Sequence, residues 1–174
     1  MTPVCALAQE VVAVNCGGRE YTTVDGLFFQ SDQGFNGGST YRTTQVIEGT
    51  LDGRLYRTER YGNFNRTFAV SNGPHVVKLS LAEIYWSDVG QRVFNVLING
   101  TTVLDSFDIL AYVAPMTALD LFFPVMVTNG EVVIEFVTLV NNAKCSAIAI
   151  GAVPTGVGQT IVESPVFTSL GGTQ

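Results

Sequence analysis

The stretch His75-Val76-Val77-Lys78-Leu79-Ser80-Leu81-Ala82-Glu83-Ile84-Tyr85-Trp86 decides how the rest of the chain is read. Val77, Leu79 and Leu81 fall on one side of an extended backbone and Lys78 and Ser80 on the other, the period of a half-buried strand. Phe94, Val96 and Ile98 repeat the pattern, and so do Val132, Ile134 and Phe136. Asn-Gly pairs at 72–73, 99–100 and 129–130 separate such runs. Asn-Gly supplies the positive φ angles of a type I′ turn, so these pairs predict antiparallel strands. Helical periodicity with caps is missing throughout. Residues 109–118 have room for a short turn, 54–61 read as a strand, and the glycine- and serine-rich 31–45 as a surface loop. Gly17-Gly18 reads as a turn after the first strand. Many short strands and few helices predict an all-β fold, a jelly-roll-like antiparallel β-sandwich.

Composition narrows the function classes. The 174 residues are 47% hydrophobic and only 14% charged, enough apolar surface for one well-buried domain. Nine Lys+Arg against fifteen Asp+Glu give a net charge of −6, which disfavours nucleic acid as a partner. Apolar runs such as Leu121 to Val127 are far short of the ~20 residues of a membrane-spanning helix, so no membrane insertion is expected of this segment. The chain divides into an N-terminal extension (1–10), a domain (11–153) and a C-terminal tail or linker (154–174). Met1 to Glu10 lacks the basic and long apolar regions of a signal peptide, and the chain is read as part of a larger protein. The tail carries Ile161, Val162, Val166, Phe167 and Leu170, too apolar for a purely solvated spacer. Cys5, Cys16 and Cys145 fit no zinc or redox spacing, and neither a metal nor a cofactor is expected. Sequons at Asn65 and Asn99 make both glycosylation candidates.

Candidate chemistry is sparse. His75, the one histidine, follows Pro74 and reads as an exposed turn residue. Glu59 and Glu83 are the candidate pair for glycoside hydrolysis. The alternation points Glu83 to the side of Leu79 and Leu81, however, so it should be buried with Arg60 or Arg92 as its ion-pair partner. Aromatic residues are the richer signal. Tyr85 and Trp86 close the best strand, Tyr61 ends another, and Tyr41 lies by the glycine-rich loop. Flat rings with polar handles suit the faces and hydroxyls of a sugar, and they also suit plugging the end of a sandwich.

In order along the chain stand Val12-Ala13-Val14-Asn15-Cys16-Gly17-Gly18, Leu55-Tyr56-Arg57-Thr58-Glu59-Arg60-Tyr61-Gly62, Leu79-Ser80-Leu81-Ala82-Glu83-Ile84-Tyr85-Trp86 and Gly90-Gln91-Arg92-Val93-Phe94-Asn95-Val96. This series resembles the malectin and malectin-like carbohydrate-binding family from about Val11 to Val153. The resemblance implies a jelly-roll sandwich with an aromatic glycan pocket at its loop end. It places Tyr41, Tyr61, Tyr85 and Trp86 on the family's pocket aromatics and Asn141 where the family carries an acid. An amide accepts weaker hydrogen bonds than an ionised carboxylate, which implies a shifted sugar preference. The resemblance also implies that the first and last strands run near each other. Cys16–Cys145 is then the first candidate disulfide and Cys5–Cys145 the second.

The expected function is a non-catalytic, lectin-like module of the secretory pathway or extracellular space. It would bind a neutral, glucose-containing oligosaccharide or glycan through Tyr41, Tyr61, Tyr85, Trp86 and Asn141. A glycan on Asn65, four residues from Tyr61, would sit close enough to crowd that site. The alternative is a structural or assembly module of an extracellular protein, with neighbouring domains or copies of itself as partners. A glycosidase using Glu59 and Glu83 is the third reading.

Overall fold

The alternation at residues 75–81 is realised as a strand inside the smaller of two packed sheets. The computed structural model describes residues 11–152. In chain order its strands are β1 (Val11–Asn15), β2 (Tyr21–Thr22), β3 (Phe28–Phe29), β4 (Phe35–Arg42), β5 (Thr58–Ala69) and β6 (Gly73–Leu81). There follow β7 (Val93–Ile98), β8 (Thr101–Phe107), β9 (Leu119–Val127), β10 (Glu131–Val140), β11 (Lys144–Cys145) and β12 (Ala147–Ala152). One helical turn, α1 (Gly53–Tyr56), precedes β5. The four-stranded sheet runs β1-β12-β6-β9. The other runs β5-β10-β7-β8, with β4 along the free side of β5 and the short β11 continuing beside β5 where β10 leaves it. All pairings within these two sheets are antiparallel. The expected jelly-roll-like antiparallel β-sandwich is the fold.

The core lies between the sheets. Val77, Leu79, Leu81, Ile148 and Ile150 face Phe94, Val96, Val132, Ile134 and Phe136, all at most 2% exposed. Phe64 stacks on Phe136 at 4.4 Å, and Phe94 meets Phe107 edge-on at 5.7 Å. Each fully buried ring contributes about 2–3 kcal/mol relative to exposure. The run Ala147-Ile148-Ala149-Ile150 shows why the outer face of the small sheet closes too. Its isoleucines enter the core, while the alanines leave room outside for Phe29, Ile47, Leu55 and Tyr56. Tyr56 then donates to Asp120 Oδ1 at 2.6 Å across this second layer.

Several expectations are corrected. Only Asn99-Gly100 makes a hairpin, joining β7 to β8 with φ of 49° and 77°. The other two pairs sit where the chain crosses between sheets, β5 to β6 and β9 to β10. These corners brace one another, since Asn72 Oδ1 accepts from Gly130 N at 2.7 Å. Residues 35–42 of the expected loop form β4 instead. Gly37 and Gly38 serve a bulge there, where a Cβ would lie 2.7 Å from Asn63 O and 2.9 Å from Tyr61 O. Arg54 to Tyr56 belong to α1, so the expected strand begins only at Thr58. His75 is not an exposed turn residue: β6 starts at Gly73, which puts His75 on the inward set with Val77, only 2% exposed. The expected Cys16–Cys145 bridge is not formed. Both are buried free thiols, and Cys145 directs its Sγ at the Ala147 and Ser80 carbonyls. Burial and the hydrogen bond with Cys145 push the Cys16 thiol well above its ordinary range. Cys5 and the apolar tail residues 161–170 lie outside the described residues, as do both terminal segments of the expected division.

Candidate functional site

Strand register assembles a pocket at one end of the sandwich. Tyr41 pairs with Glu59, and both Ser39 and Lys144 pair with Tyr61, so Tyr41, Glu59, Tyr61 and Lys144 share one face of β4, β5 and β11. From the loop after β6, Tyr85 and Trp86 close over them. From the loop after β10 come Asn141 and Asn142, both in the left-handed region at φ 47° and 75°, which asparagine tolerates better than most residues. The resulting pocket of about 240 Å³ is lined by Tyr41, Glu59, Tyr61, Tyr85, Trp86, Arg92, Asn141 and Asn142. All five expected ligand-binding residues are therefore on one wall or another of a single pocket.

Tyr85, 61% exposed, meets Tyr41 edge-on at 5.6 Å and Trp86 edge-on at 4.8 Å. This leaves ring surface open to the solvent side of the pocket.

Beneath the rings lies a buried network of two acids and two bases. Arg92 Nε donates to Glu83 Oε2 at 2.6 Å and Nη2 to Glu83 Oε1 at 3.3 Å. Lys144 pairs with Glu59 and also donates to the Ala82 carbonyl. Glu59 Oε1 is 4.0 Å from Arg92 Nη2, which joins the two pairs. All four groups are at most 4% exposed. Burial would raise the Glu83 carboxyl, but Lys144, the hydrogen bond and charge of Arg92, and the Trp86 amide hold it below its ordinary value.

The network positions the pocket walls. Glu83 Oε1 accepts from the backbone amides of Tyr85 and Trp86, each at 3.0 Å. Arg92 Nη1 donates to the carbonyls of Asn142 at 2.8 Å and Asn141 at 3.3 Å. One salt bridge thus holds the aromatic wall with one partner and the asparagine wall with the other. Asn141 Nδ2 donates to Gln91 O at 2.9 Å, a bond that a carboxylate at this position could not make.

Two sequence expectations separate here. Glu83 is buried and paired as expected, but its partner is Arg92 and not Arg60. Arg60 lies on the face of β5 opposite Glu59 and pairs with Asp32 at 2.6 Å. Glu59 and Arg92 enter as pocket lining, and Asn142 and Lys144 were not anticipated. Lys144 had a readable signal, a lone cation in the apolar run Ala143 to Ile150, which demands a buried counter-charge. The sequons lie apart in the fold: Asn99 is exposed at the β7–β8 turn, and Asn65 is partly exposed on β5 between Asn36 and Glu135.

The family that this sandwich with its open end pocket matches is one of carbohydrate-binding, lectin-like domains. Residues 10–154 match the family model described as Malectin domain, and the chain belongs to that family. Malectin-A of Xenopus laevis is 33% identical over 138 residues, covering 74% of this chain and 50% of that protein. The chain spans about half the length of the curated relatives it matches. The extracellular domain of ANXUR1 from Arabidopsis thaliana shares the fold at a TM-score of 0.75 and 16% identity, over 84% of this chain and 50% of that one. A Bacteroides uniformis β-glucuronidase shares it at 0.74 and 21%, over 83% of this chain but 18% of that enzyme.

Proposed function

We propose that this domain is a non-catalytic module that binds a neutral, glucose-containing oligosaccharide in the pocket of Tyr41, Tyr61, Tyr85, Trp86 and Asn141. The observation that carries this reading is the convergence of these residues, from four separate segments, on one pocket of sugar-sized volume. Charge supports it. The network beneath the rings balances two carboxylates against two cations, leaving stacking and neutral hydrogen bonds to recognise the ligand. The same network argues against hydrolysis by Glu59 and Glu83. A glycosidase acid needs a raised pKa, whereas Glu83 is lowered and both carboxylates are held in ion pairs. Single-site affinity should be micromolar to millimolar, about −8 to −4 kcal/mol. Placement in the secretory pathway or extracellular space, within a larger protein, is part of this reading; family membership and the extracellular origin of one solved domain with this fold support it. The test is calorimetric titration with gluco-oligosaccharides. Wild type should bind and Trp86→Ala should lose at least about tenfold in affinity; equal or absent binding in both would sink the reading.

A second reading, an assembly module, draws on β9. This edge strand exposes Phe122 (46%) and Met126 (63%), and the tail of a neighbouring copy could add to it. Pro124 removes a donor from that strand and blunts the edge, which places this reading second. Deletion of residues 155–174 with no change in oligomeric state would count against it.

A further inference from the structure

The chain has nine Lys and Arg side chains, and their distribution is uneven. Arg60, Lys78, Arg92 and Lys144 are ion-paired. Arg66 lies over the rings of Phe35 and Phe68 and donates to the Gln33 carbonyl. The remaining four, Arg19, Arg42, Arg54 and Arg57, come from the turn after β1, the end of β4, α1 and the residue before β5. All four line one cleft of about 400 Å³. None of the four makes an ion pair among the described residues, although the protein carries a net charge of −6. Arg57 is half-buried, and its Nε is enclosed without a hydrogen-bond partner. Among the described residues, Glu20 is the one carboxylate on the cleft wall. Nearby Asp52 is already engaged by the Tyr21 hydroxyl and the Val24 amide.

Four guanidinium groups gathered on one cleft, with no ion pair among the described residues, favour an anion there. Their planar forks match carboxylate, sulfate and phosphate oxygens in pairs. Among the described residues the rest of the lining is polar or small, including Asn15, Thr43 and Thr58, with the Tyr21 ring as its only large apolar surface. That lining suits hydroxyl groups and gives no pocket for the apolar side chains of a peptide.

We propose that this cleft is a second binding site, for a ligand carrying two or more oxyanion groups on a hydroxyl-rich frame, the chemistry of an acidic oligosaccharide. It is distinct from the aromatic pocket. Tyr41 and Glu59 pair in register, and so do their neighbours Arg42 and Thr58. Successive strand residues point to opposite faces, so the two sites lie back to back at the end of the β4–β5 ribbon. The proposal does not depend on what the aromatic pocket binds.

The test is titration of the full 174-residue chain with a sulfated tetrasaccharide, a tetragalacturonate and a hexaglutamate peptide. Wild type is compared with Arg42→Gln/Arg54→Gln and with Arg19→Gln, all at exposed positions, with melting temperature as the control for folding. At least one acidic saccharide should bind, which identifies sulfate or carboxylate as the preferred group. Affinity should fall at least about tenfold in the double variant, and also fall on raising salt from about 50 to about 200 mM. Trp86→Ala should leave it within about twofold, since additivity holds for separate sites. Binding of neither saccharide would overturn the proposal, as would affinity unchanged in both arginine variants. Hexaglutamate binding as tightly as the saccharides would overturn the ligand class and assign the cleft to acidic peptides.

Discussion

Replacing Glu83 by glutamine should cost more stability than any exposed charge substitution in this protein. Glu83 Oε1 accepts from Tyr85 N, Trp86 N and Arg92 Nη2, while Oε2 accepts from Arg92 Nε. A glutamine presents one carbonyl and one amino group. Either the two backbone amides or the Arg92 Nε must then face another donor. Among the described residues the change also leaves Arg92 and Lys144 with Glu59 as their only carboxylate partner, and all three are at most 4% exposed. Breaking a buried pair from one side costs about 3–5 kcal/mol. Glu59, 4.0 Å from Arg92, offsets part of this, so the lower end, about 3 kcal/mol, is expected. The comparison is Lys78→Gln, which breaks a pair with Asp120 whose side chains are 29% and 31% exposed, and should cost at most about 1 kcal/mol. Urea unfolding followed by the fluorescence of Trp86, the single tryptophan, reads both variants. A loss for Glu83→Gln no larger than for Lys78→Gln would refute the claim that the buried network holds the pocket walls.

Other expectations follow from the same contacts. Asn141→Asp loses the donor to Gln91 O, costing about 1 kcal/mol, but offers a ligand a charged acceptor. Titration should show gluco-oligosaccharide affinity rising about threefold; a fall would contradict the role given to this side chain. Because the folded pKa of Glu83 lies below 4.5, the stability it contributes is fully present above that pH and is lost as pH falls through the lowered value. Unfolding free energy should therefore hold from pH 7 to about 5 and drop on further acidification; a decline already complete by pH 5 would point to another group. Intact-mass analysis after alkylation under denaturing, non-reducing conditions should label both Cys16 and Cys145, while the native protein resists at both sites. A pair that takes label only after reduction would reinstate the disulfide.

Periodicity made much of the fold readable, and long-range pairing hid the rest. The inward sets of β6, β7 and β10 stood in the sequence because one buried face forces a period of two. Burial of Glu83 followed from the same rule, and so would the burial of His75 have done had β6 been started at Gly73. The Asn-Gly pairs show the limit of a local signal. Such a pair specifies a positive-φ turn, but whether its flanking strands pair depends on partners far along the chain. β5 takes β10 and β4, while β6 takes β9 and β12, so the turn between them became a corner. β4 was unreadable because its glycines answer to a bulge against Tyr61 and Asn63, not to a loop. For the site, the resemblance named aromatic residues that the fold brings together on one pocket. The choice of Arg92 over Arg60 needed the face of β5 that each occupies. The four-arginine cleft is invisible in sequence because its members are spread from residue 19 to residue 57.

The central claim, that a sugar stacks in the pocket over the Glu83–Arg92 network, is tested most directly by the indole N–H resonance of Trp86. With a single tryptophan that signal is unambiguous in a nitrogen–proton NMR spectrum. On titration with a gluco-oligosaccharide it should shift in step with the backbone amides of Tyr85, Asn141 and Asn142, which line the same pocket. An unmoved indole signal, with shifts absent or confined to other parts of the sandwich, would contradict the account.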